Sequence, residues 1–192
     1  LDNTGLIKAP AGGGGAWNFI SKLTASASAT LDFTSGLDST YKEYIFYYTN
    51  IHPSASSHFS FQGNVSGESG YNETITSSFY SALHKENDAT ATLALRGTYD
   101  QTDGTAFQTL SYETGTDNDQ GVSGYLHLFN PSSATFATHF IGWSNNCHNF
   151  PRSEHCIMGG YFNVAGAIDE IQFKFSSGNI DSGSIFLHGL TA

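Results

Sequence analysis

The end of the chain carries its most regular pattern, which reads IDEIQFKF over residues 168–175, SSGNIDSG over 176–183 and SIFLHGL over 184–190. In the first run, Ile171, Phe173 and Phe175 alternate with polar residues. A period of two is the pattern of a strand with one buried face and one solvated face. The Ser/Gly/Asn/Asp cluster between the two apolar runs indicates a turn. The sequence therefore predicts a β-hairpin that closes the fold.

The rest of the chain repeats this alternation of short strand-like runs with turn clusters. The first run covers 17–33, and further runs lie near 44–49, 58–65, 75–83, 91–97, 106–113, 121–129, 135–143 and 157–164. No window has the spacing and composition of an exposed amphipathic helix. With 15 Phe, 10 Tyr and 2 Trp among 192 residues, the chain can fill a large core. We predict an all-β fold, an antiparallel, jelly-roll-like β-sandwich of ten or eleven strands, as one domain over residues 17–192.

Residues 1–16 differ in composition from this domain, because Gly12, Gly13, Gly14 and Gly15 follow one another with few apolar neighbours. Four successive glycines lose much backbone entropy when they become ordered. We predict a flexible N-terminal arm, for which two interpretations stay open. It is a disordered leader, or it lies across a neighbouring subunit, where the absence of side chains permits close approach.

The formal net charge is −10, with 17 acidic residues and only 7 Lys and Arg. A nucleic-acid-binding module needs a basic surface to neutralise phosphates, so we expect no nucleic-acid partner. A bilayer-spanning helix needs about 20 consecutive apolar residues, and no such run is present, so we expect no membrane insertion.

The templates of common enzymes are not satisfied. The sequence Gly67-Glu68-Ser69-Gly70-Tyr71 begins like a nucleophile elbow but has Tyr where the final glycine is needed, and no helix follows. Asp100, Asp103, Asp117 and Asp119 lie beside glycines in loops, where Asx turns explain them better than an incomplete calcium loop. We predict a protein that is not an enzyme and that needs no cofactor or metal.

The segment from Cys147 to Cys156 is unusual, because Cys147-His148 is mirrored by His155-Cys156. Three interpretations stay open: a disulfide that closes a short loop, two free thiols, or a zinc site built from the two thiolates and two imidazoles. Zinc is disfavoured because adjacent residues on a strand point to opposite faces.

Several aromatic residues on the predicted strands suit carbohydrate binding, in which exposed rings on a sheet stack on sugars. The candidates are Tyr47, Tyr48, Tyr125 and Trp143. The competing interpretation is that these side chains belong to the core, since the alternation already places most aromatic residues there.

A series of phrases along the chain resembles a known family. They are AW (16–17), TASASA (24–29), LDFTSGLDSTY (31–41), TNIHP (49–53), SGYLHLFNPSS (123–133), AID (167–169), SSGNIDSG (176–183) and IFLHGL (185–190). They resemble small β-rich virion structural proteins of tailed bacteriophages, especially marine phages and cyanophages. The Cys147–Cys156 segment is not part of that pattern.

This resemblance implies a virion component that is made in the host cytoplasm and assembles on the outside of the particle. It implies partners among coat or tail subunits, as a capsid decoration (cement) protein or a tail appendage. We also expect self-association, with a homotrimer suiting both locations. The alternative function is a lectin-like module that recognises host glycans.

Overall fold

The computed structural model describes residues 17–191, which form twelve β-strands. The strands are β1 Trp17–Thr24, β2 Leu31–Phe33, β3 Glu43–Pro53, β4 Ser57–Val65, β5 Ile75–Lys85, β6 Ala91–Leu95, β7 Gln108–Thr114, β8 Val122–Phe129, β9 Thr138–Cys147, β10 Arg152–Phe162, β11 Ile168–Phe175 and β12 Ile180–Leu190. The glycine arm predicted over residues 1–16 lies outside the described residues. The predicted first run, 17–33, contains two strands in different sheets, which accounts for the additional strand.

The strands form two antiparallel sheets that confirm the predicted sandwich. The larger sheet has the order β1-β12-β3-β8-β9-β10-β5-β6, and the smaller has the order β2-β11-β4-β7. Eight strands pair from the chain ends inward, β1 with β12, β2 with β11, β3 with β8 and β4 with β7, which is the nested pairing of a jelly roll. The two remaining pairs of consecutive strands, β5 with β6 and β9 with β10, extend the larger sheet beyond β8.

The core lies between the sheets and is rich in aromatic side chains. Phe173 on β11 is fully buried, with its ring centroid 5.3 Å from that of Phe46 and 5.9 Å from that of Phe59. Ile171 and Phe175 are buried on the same face, as the alternation predicts. Fully burying such side chains contributes about 1.5–3 kcal/mol each, so this face of β11 anchors the smaller sheet to the larger one.

The predicted hairpin between the last two strands is wrong. β11 pairs with β2 and β4 in the smaller sheet, whereas β12 pairs with β1 and β3 in the larger sheet. The turn around Gly178, which has φ of +74°, carries the chain from one sheet to the other. The alternation identifies the buried face of β11 correctly. It does not identify the partner strand, because both arms face the same core from opposite sides.

Candidate functional site

The outer face of the larger sheet carries most of the large apolar side chains that residues 17–191 expose. Nine of eleven lie there: Trp17, Phe19, Tyr47, Tyr80, Leu93, Leu95, Ile141, Trp143 and Ile157. The other two, Phe136 and Phe150, lie outside the strands. Single exposed apolar residues are ordinary on protein surfaces, but nine on one sheet face form a continuous patch.

The centre of this face is a line of cross-strand neighbours. Strand register places side by side, from β12 to β6, the side chains of Phe186, Tyr47, Tyr125, Trp143, Ile157, Tyr80 and Leu95. We call these seven residues the apolar row. The ring centroids of Tyr47 and Tyr125 are 6.3 Å apart, and those of Tyr125 and Trp143 are 5.9 Å apart. Since neighbouring strands lie about 4.8 Å apart, the row is about 30 Å long.

Three of the four predicted glycan-stacking residues lie in the apolar row. Tyr47 and Trp143 are 39 % and 45 % exposed, and Tyr125 is half-buried between them. Tyr48 does not belong to the row, contrary to its prediction as a stacking residue. Its ring is buried in the core, and its hydroxyl lies 2.6 Å from Ser144 Oγ. Burial raises the pKa of this hydroxyl far above its usual value. Tyr47 and Tyr48 are adjacent on β3 and therefore point to opposite faces, so both cannot contact one sugar.

Sequence reasoning missed most of the apolar row. Ile157, Tyr80, Leu95 and Phe186 were not candidates, although a signal was present. β3 has bulky residues at both alternating sets of positions, so one set has to lie on the face of the sheet away from the core. No other described strand covers the outer face of β3, where Tyr47 is exposed.

This face is almost neutral, although the chain is acidic. On the outer face beside the apolar row, two residues are charged at neutral pH. Lys22 on β1 lies 5.1 Å from the Phe186 ring centroid, and Glu43 lies on β3, four residues before Tyr47. Glu43 Oε2 lies 3.1 Å from His127 Nε2. The lowered pKa of His127, caused mainly by burial, favours the neutral imidazole. The face therefore contributes little to the net charge of −10.

A polar pocket adjoins the apolar row at one end of the sheet. It has a volume of about 740 Å³, and its lining includes Asn50, Asn118, Asp119, Ser123, Asn145 and Ser182. Register shifts of β3 against both β8 and β12 lie at this end, and Asn50 there has φ of +52°. The backbone amide of Asn50 donates a hydrogen bond to Ser123 Oγ at 3.0 Å. The irregular strand pairing therefore opens a depression in an otherwise regular sheet.

Of the three interpretations left open for Cys147 and Cys156, the structure has the two free thiols. Cys147 is exposed and lines the polar pocket, whereas Cys156 is buried, and burial raises the pKa of its thiol to about 12. In the register of β9 and β10, Cys147 is opposite Ser153, while Cys156 is opposite Ser144. The two side chains therefore point to opposite faces. Within residues 17–191, no three His, Cys, Asp or Glu side chains are grouped to hold a metal ion.

A buried cluster of charged side chains lies on the inner side of β10. Glu154 is fully buried, with Oε2 3.0 Å from Arg152 Nε and Oε1 3.6 Å from Arg96 Nη2. The Tyr112 hydroxyl donates a hydrogen bond to Glu154 Oε1. The guanidinium groups of Arg96 and Arg152 lie 5.4 Å and 5.9 Å from the Tyr112 ring centroid. The carboxylate is enclosed by its partners, which is the arrangement of a structural ion-pair network.

His148 beside this cluster gives the fold a pH dependence. Its side chain is buried, with Nδ1 accepting a hydrogen bond from the Phe150 amide at 3.0 Å and Nε2 lying 2.9 Å from Glu113 Oε2. Burial, assisted by the nearby Arg152, lowers the pKa of His148 to about 4. A proton on Nδ1 would remove the hydrogen bond from Phe150. The folded protein therefore holds the neutral imidazole.

We expect the free energy of unfolding to fall as the pH drops from about 6.5 towards about 4. In that interval the unfolded chain binds a proton at His148 that the folded chain does not, so acid favours unfolding by up to about 3 kcal/mol. Urea unfolding at a series of pH values measures this slope. The His148→Gln variant controls for the carboxylates that also titrate, and its slope should be shallower. Equal slopes for the two proteins would contradict the assignment.

In the part of the chain that the structure describes, no helix is long and apolar enough to cross a bilayer. Comparison of this chain with protein-family models, with curated proteins and with solved structures gives no match.

Proposed function

We propose that this chain is a non-enzymatic structural component of a tailed bacteriophage particle. It assembles in many copies on the particle exterior, as a capsid decoration protein or as part of a tail appendage. The observation that carries the proposal is the apolar outer face of the larger sheet, with seven neighbouring strands contributing to one row. The jelly-roll fold and the resemblance of phrases such as SGYLHLFNPSS (123–133) support it.

The physical argument is that a face of this kind needs a protein partner. Soluble monomers rarely expose continuous apolar patches larger than a few hundred Å², and larger ones mark interaction surfaces. Copies of a chain with a net charge of −10 repel one another over most of their surface, and a nearly neutral face reduces that repulsion where they meet. We therefore assign the apolar row to contacts with further copies of the chain, as in a trimer, and with coat or tail subunits.

Purified particles of the phage that encodes this chain test the proposal. Quantitative mass spectrometry should find the protein in the particles in many copies, and a cryo-EM map should contain its twelve-stranded sandwich on the outer surface. Density over coat subunits would identify a decoration protein, and density at the tail would identify an appendage. Presence in the infected lysate together with absence from purified particles would overturn the proposal.

The alternative function, recognition of host-surface glycans, is favoured by one specific observation. Tyr47, Tyr125 and Trp143 are neighbours across three adjacent strands, and their rings lie on the outer face of the larger sheet. Flat aromatic surfaces of this kind present apolar area at a small cost in side-chain entropy, which suits stacking on sugar rings. Binding of the isolated protein to glycans distinguishes this function from a purely structural one.

A further inference from the structure

We propose that the polar pocket binds a neutral oligosaccharide, with Trp143 as the stacking surface at its rim. This inference deepens the alternative function and rests on it. Because Trp143 belongs to the apolar row, the inference requires this end of the row to stay accessible when the chain assembles.

The lining of the pocket presents hydrogen-bonding groups that the fold leaves available. The side chains of Asn50, Asn118, Asp119 and Ser182 make no hydrogen bond to any part of the chain that the structure describes. Ser123 Oγ accepts a hydrogen bond from the backbone amide of Asn50 and retains its own hydroxyl proton as a donor. Amides, hydroxyls and a carboxylate together supply the donors and acceptors that sugar hydroxyls need.

The charge of the pocket disfavours acidic ligands. Its lining contains Asp119 but neither lysine nor arginine. Recognition of a phosphate, sulfate or carboxylate group relies on cationic side chains or on converging backbone amides. A neutral saccharide avoids repulsion by Asp119, whose carboxylate can accept hydrogen bonds from sugar hydroxyls. The pocket volume, about 740 Å³, lies within the ordinary range for small-molecule sites.

The aromatic side of the site follows from strand geometry. Ser123 and Asn145 face each other across β8 and β9, and two residues further along the same strands Tyr125 faces Trp143. Two residues span about 7 Å along a strand and return to the same face, so the rings lie next to the pocket. The His155 ring, at 5.2 Å and 82° to Trp143, supports the indole from its side. The apolar face of a sugar ring fits on the exposed indole while its hydroxyls enter the pocket.

The chain contains its own reporters for this test. Cys147 lines the pocket and is exposed, whereas Cys156 is buried, so Ellman's reagent should modify Cys147 first in the folded protein. In a Trp17→Phe background, Trp143 is the remaining tryptophan, and its fluorescence reports on the rim. The probes are neutral oligosaccharides built from glucose, mannose, galactose or N-acetylglucosamine, with 3′-sialyllactose as the anionic control.

We expect at least one neutral oligosaccharide to slow the modification of Cys147 several-fold and to shift the fluorescence of Trp143, while 3′-sialyllactose does neither. The Trp143→Ala and Asn145→Ala variants should each weaken binding about tenfold. Binding to Trp143→Ala is measured by the modification of Cys147, because this variant lacks the fluorescent indole. Ile141→Ala is the matched control, because Ile141 is exposed on the same face of β9 but lies on the side of Trp143 away from the pocket.

Two results would overturn the proposal, and they have different meanings. If no neutral oligosaccharide affects either reporter at millimolar concentration, both the pocket assignment and the glycan-binding function fail. If an oligosaccharide binds equally well to the Trp143→Ala and Asn145→Ala variants, glycan binding stands but takes place elsewhere. Neither result bears on the structural role, which is tested on purified particles.

Discussion

Replacing Glu154 with alanine is expected to lower the free energy of unfolding by about 3–5 kcal/mol. The carboxylate is fully buried and lies between Arg96 and Arg152, whose side chains are themselves mostly buried. Removing it leaves two guanidinium groups close together without their anion, and it also leaves the Tyr112 hydroxyl without its acceptor. Urea unfolding at neutral pH, followed by tryptophan fluorescence, measures the change.

Two further variants separate the ion pairs from other effects of the substitution. Tyr112→Phe removes the hydrogen bond to Glu154 but keeps both ion pairs, so we expect a smaller loss, about 1–2 kcal/mol. Glu86→Ala removes an exposed carboxylate from the loop after β5 and should change stability by less than about 0.5 kcal/mol. If Glu154→Ala costs no more than Tyr112→Phe, the ion pairs contribute little to stability.

The class of fold could be predicted from the sequence because alternation is a local property. The side chains of Ile171, Phe173 and Phe175 are buried together, as their spacing predicts. Strand pairing is not local. β11 finds its partners in β2 and β4, far away in sequence, and no feature of residues 168–190 distinguishes this arrangement from a hairpin. A pattern of period two identifies a buried face but not the strand beside it.

The candidate site shows the same division between local and distant information. The mirrored Cys147-His148 and His155-Cys156 pairs suggest a cluster, yet β9 and β10 direct Cys147 outwards and Cys156 inwards. The charge of the buried Glu154 carboxylate is compensated in part by Arg96, which the fold brings from the end of β6. Strand register determines both results.

The apolar row shows why an exposed face can resemble a core in sequence. In β9, Phe140 is buried, whereas its neighbour Ile141 is 47 % exposed. Both are large and apolar, which is the pattern of a strand covered on both sides. In the structure, no described strand covers the outer face. A strand that is apolar on both faces, with described strands covering only one of them, is expected where a second molecule supplies the other layer.

The Ile157→Asp variant is therefore expected to prevent assembly while leaving the fold intact. Ile157 lies in the apolar row between Trp143 and Tyr80 and is 42 % exposed, so the isolated chain can solvate the new carboxylate. In an assembly the same carboxylate would be buried without a partner, which should weaken association by about 100-fold or more. Light scattering over a range of concentrations measures self-association, and mass spectrometry of particles measures incorporation.

A matched control distinguishes this effect from that of the added negative charge. Thr92→Asp introduces the same carboxylate on β6, at an exposed position on the opposite face of the same sheet. This variant should associate and enter particles as the original chain does, since its charge stays in water. If Ile157→Asp also assembles normally, the outer face is not the contact surface. The particle would then have to hold this chain through the smaller sheet or the loops, and the apolar row would need another partner.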